Sequence, residues 1–240
     1  SSSYDGGFSE TTTASFSADF VVGAVDGSST SEATTFDYQF GMNLSTSFTG
    51  EDSLALTIET GNSGSASGSI LDMNAMGDVM TLDGISYTFP LGDKTTVMVG
   101  DSTDVSALYS TSCVYSAFTD LLSNCGSGTA AGLGGGSDFT ASPNSSSSAT
   151  VAAAYDFGNG FTVAGGVGFA SESDGILTTE DESTIGLEAA YTADAYGVAL
   201  AYTDDDETAG DGSFYSIQAA WTPDAPYSVS VGYEFDDDDA

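Results

Sequence analysis

Apolar and polar residues alternate strictly along "FDYQFGMNLSTSF", residues 36 to 48. Phe36, Tyr38, Phe40, Met42, Leu44 and Phe48 take the even positions, with Asp37, Gln39, Asn43, Ser45 and Ser47 between them. A period of two sends one side of an extended strand into an apolar medium and the other into polar surroundings, and no helix has that period. "TGED" breaks the pattern. Leu54, Leu56 and Ile58 then resume it against Ala55, Thr57 and Glu59, which predicts a β-hairpin closed by a tight turn. Segments of the same character lie near 13–25, 34–48, 53–61, 79–90, 94–101, 147–157, 161–170, 183–191, 196–203, 213–221 and 227–235, eleven predicted strands.

Their connections alternate in length. "TGED", "PLGDK", "FGNG", "TADA" and "TPDA" are short, whereas 26–33, 62–78, 102–146, 171–182 and 204–212 are longer. A soluble sandwich has no reason to sort its loops by end. An antiparallel up-and-down transmembrane β-barrel does, with short turns on the periplasmic side and long loops outside.

The two phases of each strand differ in kind. One holds Phe16, Phe20, Val22; Leu54, Leu56, Ile58; Val151, Ala153, Tyr155; Phe161, Val163, Val167, Phe169; Ile185, Leu187, Tyr191; Tyr196, Val198, Leu200, Tyr202; and Tyr227, Val229, Val231, Tyr233, with no charge among them. The other holds Asp19, Asp37, Glu59, Asp83, Asp156, Glu188 and Glu234 among Gly, Ser, Thr and Ala. A charge facing lipid at mid-depth costs up to roughly 2 to 4 kcal/mol, while a wet lumen tolerates it. The polar phase is therefore expected to line a pore, through those seven carboxylates with Gln39 and Asn43. At Gly84 the apolar phase slips, from Met80 and Leu82 to Ile85, Tyr87 and Phe89, as a glycine bulge would allow. Phe48, Phe89, Phe157, Phe161, Tyr191, Tyr196, Trp221 and Tyr227 flank the short turns, where a membrane barrel carries an aromatic girdle. Eleven strands do not close a barrel with both ends on one side. The reading therefore calls for a further strand, inside 62–78 or 128–146, or for a chain that is the front part of a longer barrel.

Composition adds a sign. Of 240 residues 36 are acidic and one, Lys94, is basic, a net charge of −35 that repels nucleic acid. Aromatics at 11% are too many for a disordered acidic tail. No run of apolar residues reaches helical membrane-spanning length, and no basic segment followed by an apolar one opens the chain, as in a processed N-terminus. Cys113 and Cys125 sit in a Gly/Ser-rich loop; bridged, they fit an oxidising compartment and would contribute about 2 to 3 kcal/mol, the alternative being two free thiols. Without a histidine, triads, imidazole bases and the common zinc sites are excluded, and an enzyme is not expected. "GSASG" at 64–68 lacks the serine of a nucleophile elbow, and Gly165, Gly166 and Gly168 do not complete a dinucleotide fingerprint. No cofactor is expected beyond weak Ca²⁺ or Mg²⁺ at acidic loops, foremost Asp204, Asp205, Asp206 and Glu207. The sixth position of "DDDETAGDG" is Ala209 where an EF-hand needs Gly.

Four segments carry a family resemblance: "FDYQFGMNLSTSFTGEDSLALTIETGN", "LDGISYTFPLGDKTTVMVGD", "VAAAYDFGNGFTVAGGVGFAS" and "YSIQAAWTPDAPYSVSVGYEF". In order, they resemble the barrel region of cyanobacterial outer-membrane porins of the OprB-type, carbohydrate-selective family, most specifically at "NLSTSFTGED" and "YTFPLGDK". The resemblance implies a homotrimer of barrels of about sixteen strands in the bacterial outer membrane, among lipid and lipopolysaccharide. It also implies a third loop folded into the lumen, a place taken here by 102–146. An N-terminal S-layer-homology domain and further strands after "SVGYEF", usual in the family, are not in this sequence, so it reads as a single barrel domain lacking its C-terminal strands.

The expected function is passive diffusion of small hydrophilic solutes and ions, with cation preference set by the acidic wall and by Asp120 and Asp138 in the constriction loop. Two rivals stay open. One is a sugar-selective channel using the loop's Tyr109, Tyr115 and Phe118; the other is a non-conducting acidic surface or adhesin-like β-protein with Ca²⁺-bridged loops.

Overall fold

The computed structural model describes residues 6–7, 11–24, 34–62, 77–103, 105, 107–110, 149–169, 183–206, 212–224 and 227–237. They form twelve strands: β1 (Gly6–Gly7), β2 (Thr12–Gly23), β3 (Thr35–Thr46), β4 (Ser53–Gly61), β5 (Thr81–Pro90), β6 (Thr95–Asp101), β7 (Ala149–Asp156), β8 (Phe161–Phe169), β9 (Ser183–Thr192), β10 (Tyr196–Asp206), β11 (Gly212–Trp221) and β12 (Val229–Asp237). Strand order in the sheet follows chain order, the up-and-down arrangement that alternating short and long connections require. No helix among the described residues is long and apolar enough to cross a membrane. Most of the strands run nine to twelve residues, enough to cross a hydrocarbon core when tilted.

The chain divides into two compact units, 1–87 and 88–240. In the first, β2 pairs antiparallel with β3 and β3 with β4, so that Phe16 faces Met42, Phe20 faces Tyr38 and Leu44 faces Leu56. In the second, antiparallel pairing runs unbroken from β6 to β12, and the apolar phases fall in lateral rows such as Val151–Val167–Ile185 and Leu187–Tyr202–Tyr215. All eleven predicted strands are present. The twelfth, β1, is two glycines paired with Thr13 and Ala14, too short to carry a period; 63–76 and 128–146, where another strand was expected, lie outside the described residues.

Burial is inverted relative to a soluble protein. Phe20, Val22, Phe36, Ile185, Leu187, Leu200, Ile217 and Val231 are exposed, while Thr150, Thr184, Glu188, Ser216 and Gln218 are buried. Along β9 the two alternate residue by residue: Thr184, Gly186, Glu188 and Ala190 inward, Ile185, Leu187 and Ala189 outward. Left in water, so continuous an apolar face would exceed the few hundred Å² a soluble monomer tolerates. In lipid, each of its large side chains gains roughly 1.5 to 3 kcal/mol instead.

Two details correct the sequence reading. Phe169, assigned to the outward phase, is buried, and its register partners Ala149 and Ser183 are both small. The acidic run opening at 204 is strand rather than loop as far as Asp206, because Asp204 and Asp205 stay in register with Ser213 and Gly212. At the Gly84 slip β5 continues unbroken, with Leu82 and Asp83 exposed in succession.

Aromatics gather at both ends of the strands. Beside the short turns stand Tyr155 with Phe157, the series Phe161–Tyr191–Tyr196, and Trp221 with Tyr227, ring centroids 4.5 to 6.1 Å apart. Beside the long connections stand Phe20 with Phe36 and, in the second unit, Tyr202 with Tyr215.

Candidate pore wall and loop seat

In the first unit five of the predicted lining residues share one face. Register places Asp19 opposite Gln39, Asp37 opposite Val21, Glu59 opposite Gly41, and Asn43 opposite Thr57, all in the polar phase. The Gln39 amide donates to Asp19 at 3.2 Å, the Thr35 hydroxyl to Asp37 at 2.8 Å and the Thr57 hydroxyl to Asn43 at 2.8 Å. Gly41 forms a hollow among them, since a Cβ there would stand 2.9 Å from the Ser17 hydroxyl. Neighbouring carboxylates are thus spread over three strands with neutral donors between them, an arrangement that leaves negative field on the wall. Asp83, on β5 of the same unit, is exposed.

In the second unit the inward phase is mostly Thr, Ala and Gly. Ala164, Glu188, Ala201, Ser216 and Glu234 form one lateral row across β8 to β12. Asp156 is not in mid-wall: it ends β7, and its carboxylate accepts the Gly158 N–H at 2.7 Å, closing the short turn.

On this wall lies the start of the long connection that follows β6. The Thr150 hydroxyl donates to the Thr103 carbonyl at 2.6 Å, Val105 is fully buried, and the Ser110 hydroxyl pairs with that of Thr162 at 3.1 Å. The backbone N–H of Ser110 donates to the Glu188 carboxylate. Two glycines make the seat. A Cβ at Gly166 would collide with the Val105 backbone, and one at Gly186 with the Tyr109 hydroxyl and, at 3.0 Å, the Val105 side chain. Burial, and secondarily the Glu188 carboxylate, push the Tyr109 phenol above its ordinary range. Its hydroxyl is buried and has no hydrogen-bond partner among the described residues.

Of the 102–146 segment, Thr103, Val105, Tyr109 and Ser110 thus lie against the polar phase of β7, β8 and β9. Of the residues assigned to it only Tyr109 is among those described, seated against the wall; Tyr115, Phe118, Asp120, Asp138, Cys113 and Cys125 lie outside them. The seat itself was missed by sequence reasoning. Its signal was the small-residue polar phase at Gly166 and Gly186, which reads equally well as filler. At the acidic run, Asp204 accepts from Ser213 at 2.7 Å and from Tyr202 at 3.1 Å, and Glu207 lies outside the described residues. No three acidic or thiol side chains among the described residues gather to hold a metal.

No family model and no curated protein matches the chain. Among solved structures it is similar to mutants of the Rhodopseudomonas blastica porin. Two of them align at TM-scores of 0.56 and 0.55 with 16% and 17% identity, each match covering 91% of this chain and 73% of that one. At that identity the likeness carries the fold, which is that of a porin-type β-barrel.

Proposed function

We propose that the chain is a bacterial outer-membrane porin through which small hydrophilic solutes and ions diffuse passively, without a catalytic step. The observation that carries this reading is the inverted burial: large apolar side chains on the outer phase, carboxylates, amides and small residues on the inner one. The porin fold of similar structures supports it. The constriction is the 102–146 segment, and the channel assembles as a homotrimer among outer-membrane lipid and lipopolysaccharide.

Cation preference follows from charge. With 36 acidic side chains against one basic, and Asp19, Asp37, Glu59, Asp83 and Glu234 on the polar phase, the wall concentrates cations and repels anions. Membership of the OprB-type family rests on the four quoted segments; the sugar-selective variant of the reading needs aromatics facing the lumen, and most here are outward. The test is a planar-bilayer recording of the detergent-extracted protein under a KCl gradient. A reversal potential of cationic sign is expected. An anionic sign would refute the preference, and absence of conductance the channel.

A further inference from the structure

Glu188 is buried on the polar phase, 5% exposed, and its carboxylate is engaged by the backbone of another segment, accepting the Ser110 N–H. Two further contacts anchor that segment, Thr150 of β7 to the Thr103 carbonyl and Ser110 to Thr162 of β8. Between them Val105 and Tyr109 rest over Gly166 and Gly186, which have no side chain to keep them off.

We propose that Glu188 is a positioning residue of the channel, holding Val105, Tyr109 and Ser110 against the inner wall instead of contributing to the selectivity field. The inference rests on the porin reading above. A segment released from the wall of a narrow lumen swings into the conducting path, so that the latch sets how often the channel closes. Hydrogen bonds to a charged acceptor are worth more than neutral ones, and a side chain that still offers an oxygen in the same place keeps most of the geometry.

Three variants separate latch from field. Glu188→Ala removes the acceptor, Glu188→Gln keeps an acceptor oxygen but removes the charge, and Ser110→Pro removes the donor from the loop side. Single-channel recordings should show the closed fraction rising roughly tenfold in Glu188→Ala and Ser110→Pro. Glu188→Gln should stay near wild type in closures and in reversal potential. Amide hydrogen exchange of residues 103–110, on the same samples, should accelerate in the first two variants only, and needs no current. Unchanged closures and exchange in Glu188→Ala overturn the proposal. So does a Glu188→Gln variant whose reversal potential shifts as far as that of Glu188→Ala while neither closes more often. If Glu188→Ala does not assemble, Ser110→Pro decides alone, wild-type exchange and closures overturning the latch. A wild type that protects 103–110 but passes no current refutes the porin reading and leaves the docking intact.

Discussion

Asp52, in the turn between β3 and β4, organises its surroundings. Its carboxylate accepts from the Ser47 hydroxyl at 2.8 Å, the Phe48 and Thr49 amides at 2.9 and 2.8 Å, the Thr49 hydroxyl at 2.8 Å and, through its second oxygen, the Tyr87 hydroxyl at 2.6 Å. The Tyr87 bond first, then the Thr49 amide, hold the group well below the usual carboxylate range. A carboxyl depressed in the folded state contributes stability that is complete above its unfolded value, near pH 4, and is lost as the pH falls towards the folded one. Asp52→Asn should therefore lower the melting temperature at neutral pH, and the gap between the two proteins should narrow as the pH falls below about 4. Thermal unfolding in detergent across that range checks it; a gap that does not narrow in acid rules the account out. A second residue-scale expectation concerns two glycines at positive φ. At Gly160, φ 89°, a Cβ would strike the Thr192 carbonyl and stand 3.1 Å from the Tyr191 ring, whereas at Gly50, φ 91°, it would meet nothing. Gly160→Ala should cost about 1 to 3 kcal/mol, with Gly50→Ala near the lower end of that range, measured by denaturant unfolding in detergent.

At the scale of elements the sequence was most informative where a strand had one apolar and one polar neighbour on every side. β3 and β9 read off the page because a one-residue slip would turn every side chain to the wrong medium. β1 was invisible, since two glycines carry no alternation, and the end of β10 was hidden because Asp204 to Asp206 look like a solvated run while ladder pairing keeps them extended. The polar face was half legible: alternation put Asp19, Gln39 and Glu59 on it, but nothing in a sequence says that Asp156 closes a turn or that Glu188 meets Ser110 from far along the chain. Long-range partners are set by register, and register emerges only when the strands are laid side by side. The two faces give a direct prediction. Leu200→Arg, on the outer phase of β10, should cost about 2 to 4 kcal/mol at mid-depth and depress folding into lipid vesicles, while Ala201→Ser on the inner phase should fold near wild-type yield. Equal yields would contradict the assignment of faces.

For the whole molecule the dominant quantity is the charge of −35. Field-based selectivity is screened by salt: the Debye length shrinks from about 10 Å at 0.1 M to about 3 Å at 1 M. Cation preference should accordingly fade as the mean KCl concentration rises at a fixed gradient ratio. A preference constant across that range would point to close-contact binding instead.

The same imbalance gives the chain a single address for a protease that cuts after basic residues, the bond between Lys94 and Thr95. That bond lies at the tight turn between β5 and β6, where the Leu91 N–H donates to the Thr95 carbonyl at 2.8 Å and the Lys94 ammonium to the Phe157 carbonyl at 3.2 Å. A protease needs its substrate extended, so the folded chain resists and the opened chain yields two fragments. One cut thus becomes a clock that counts how often this hairpin comes undone.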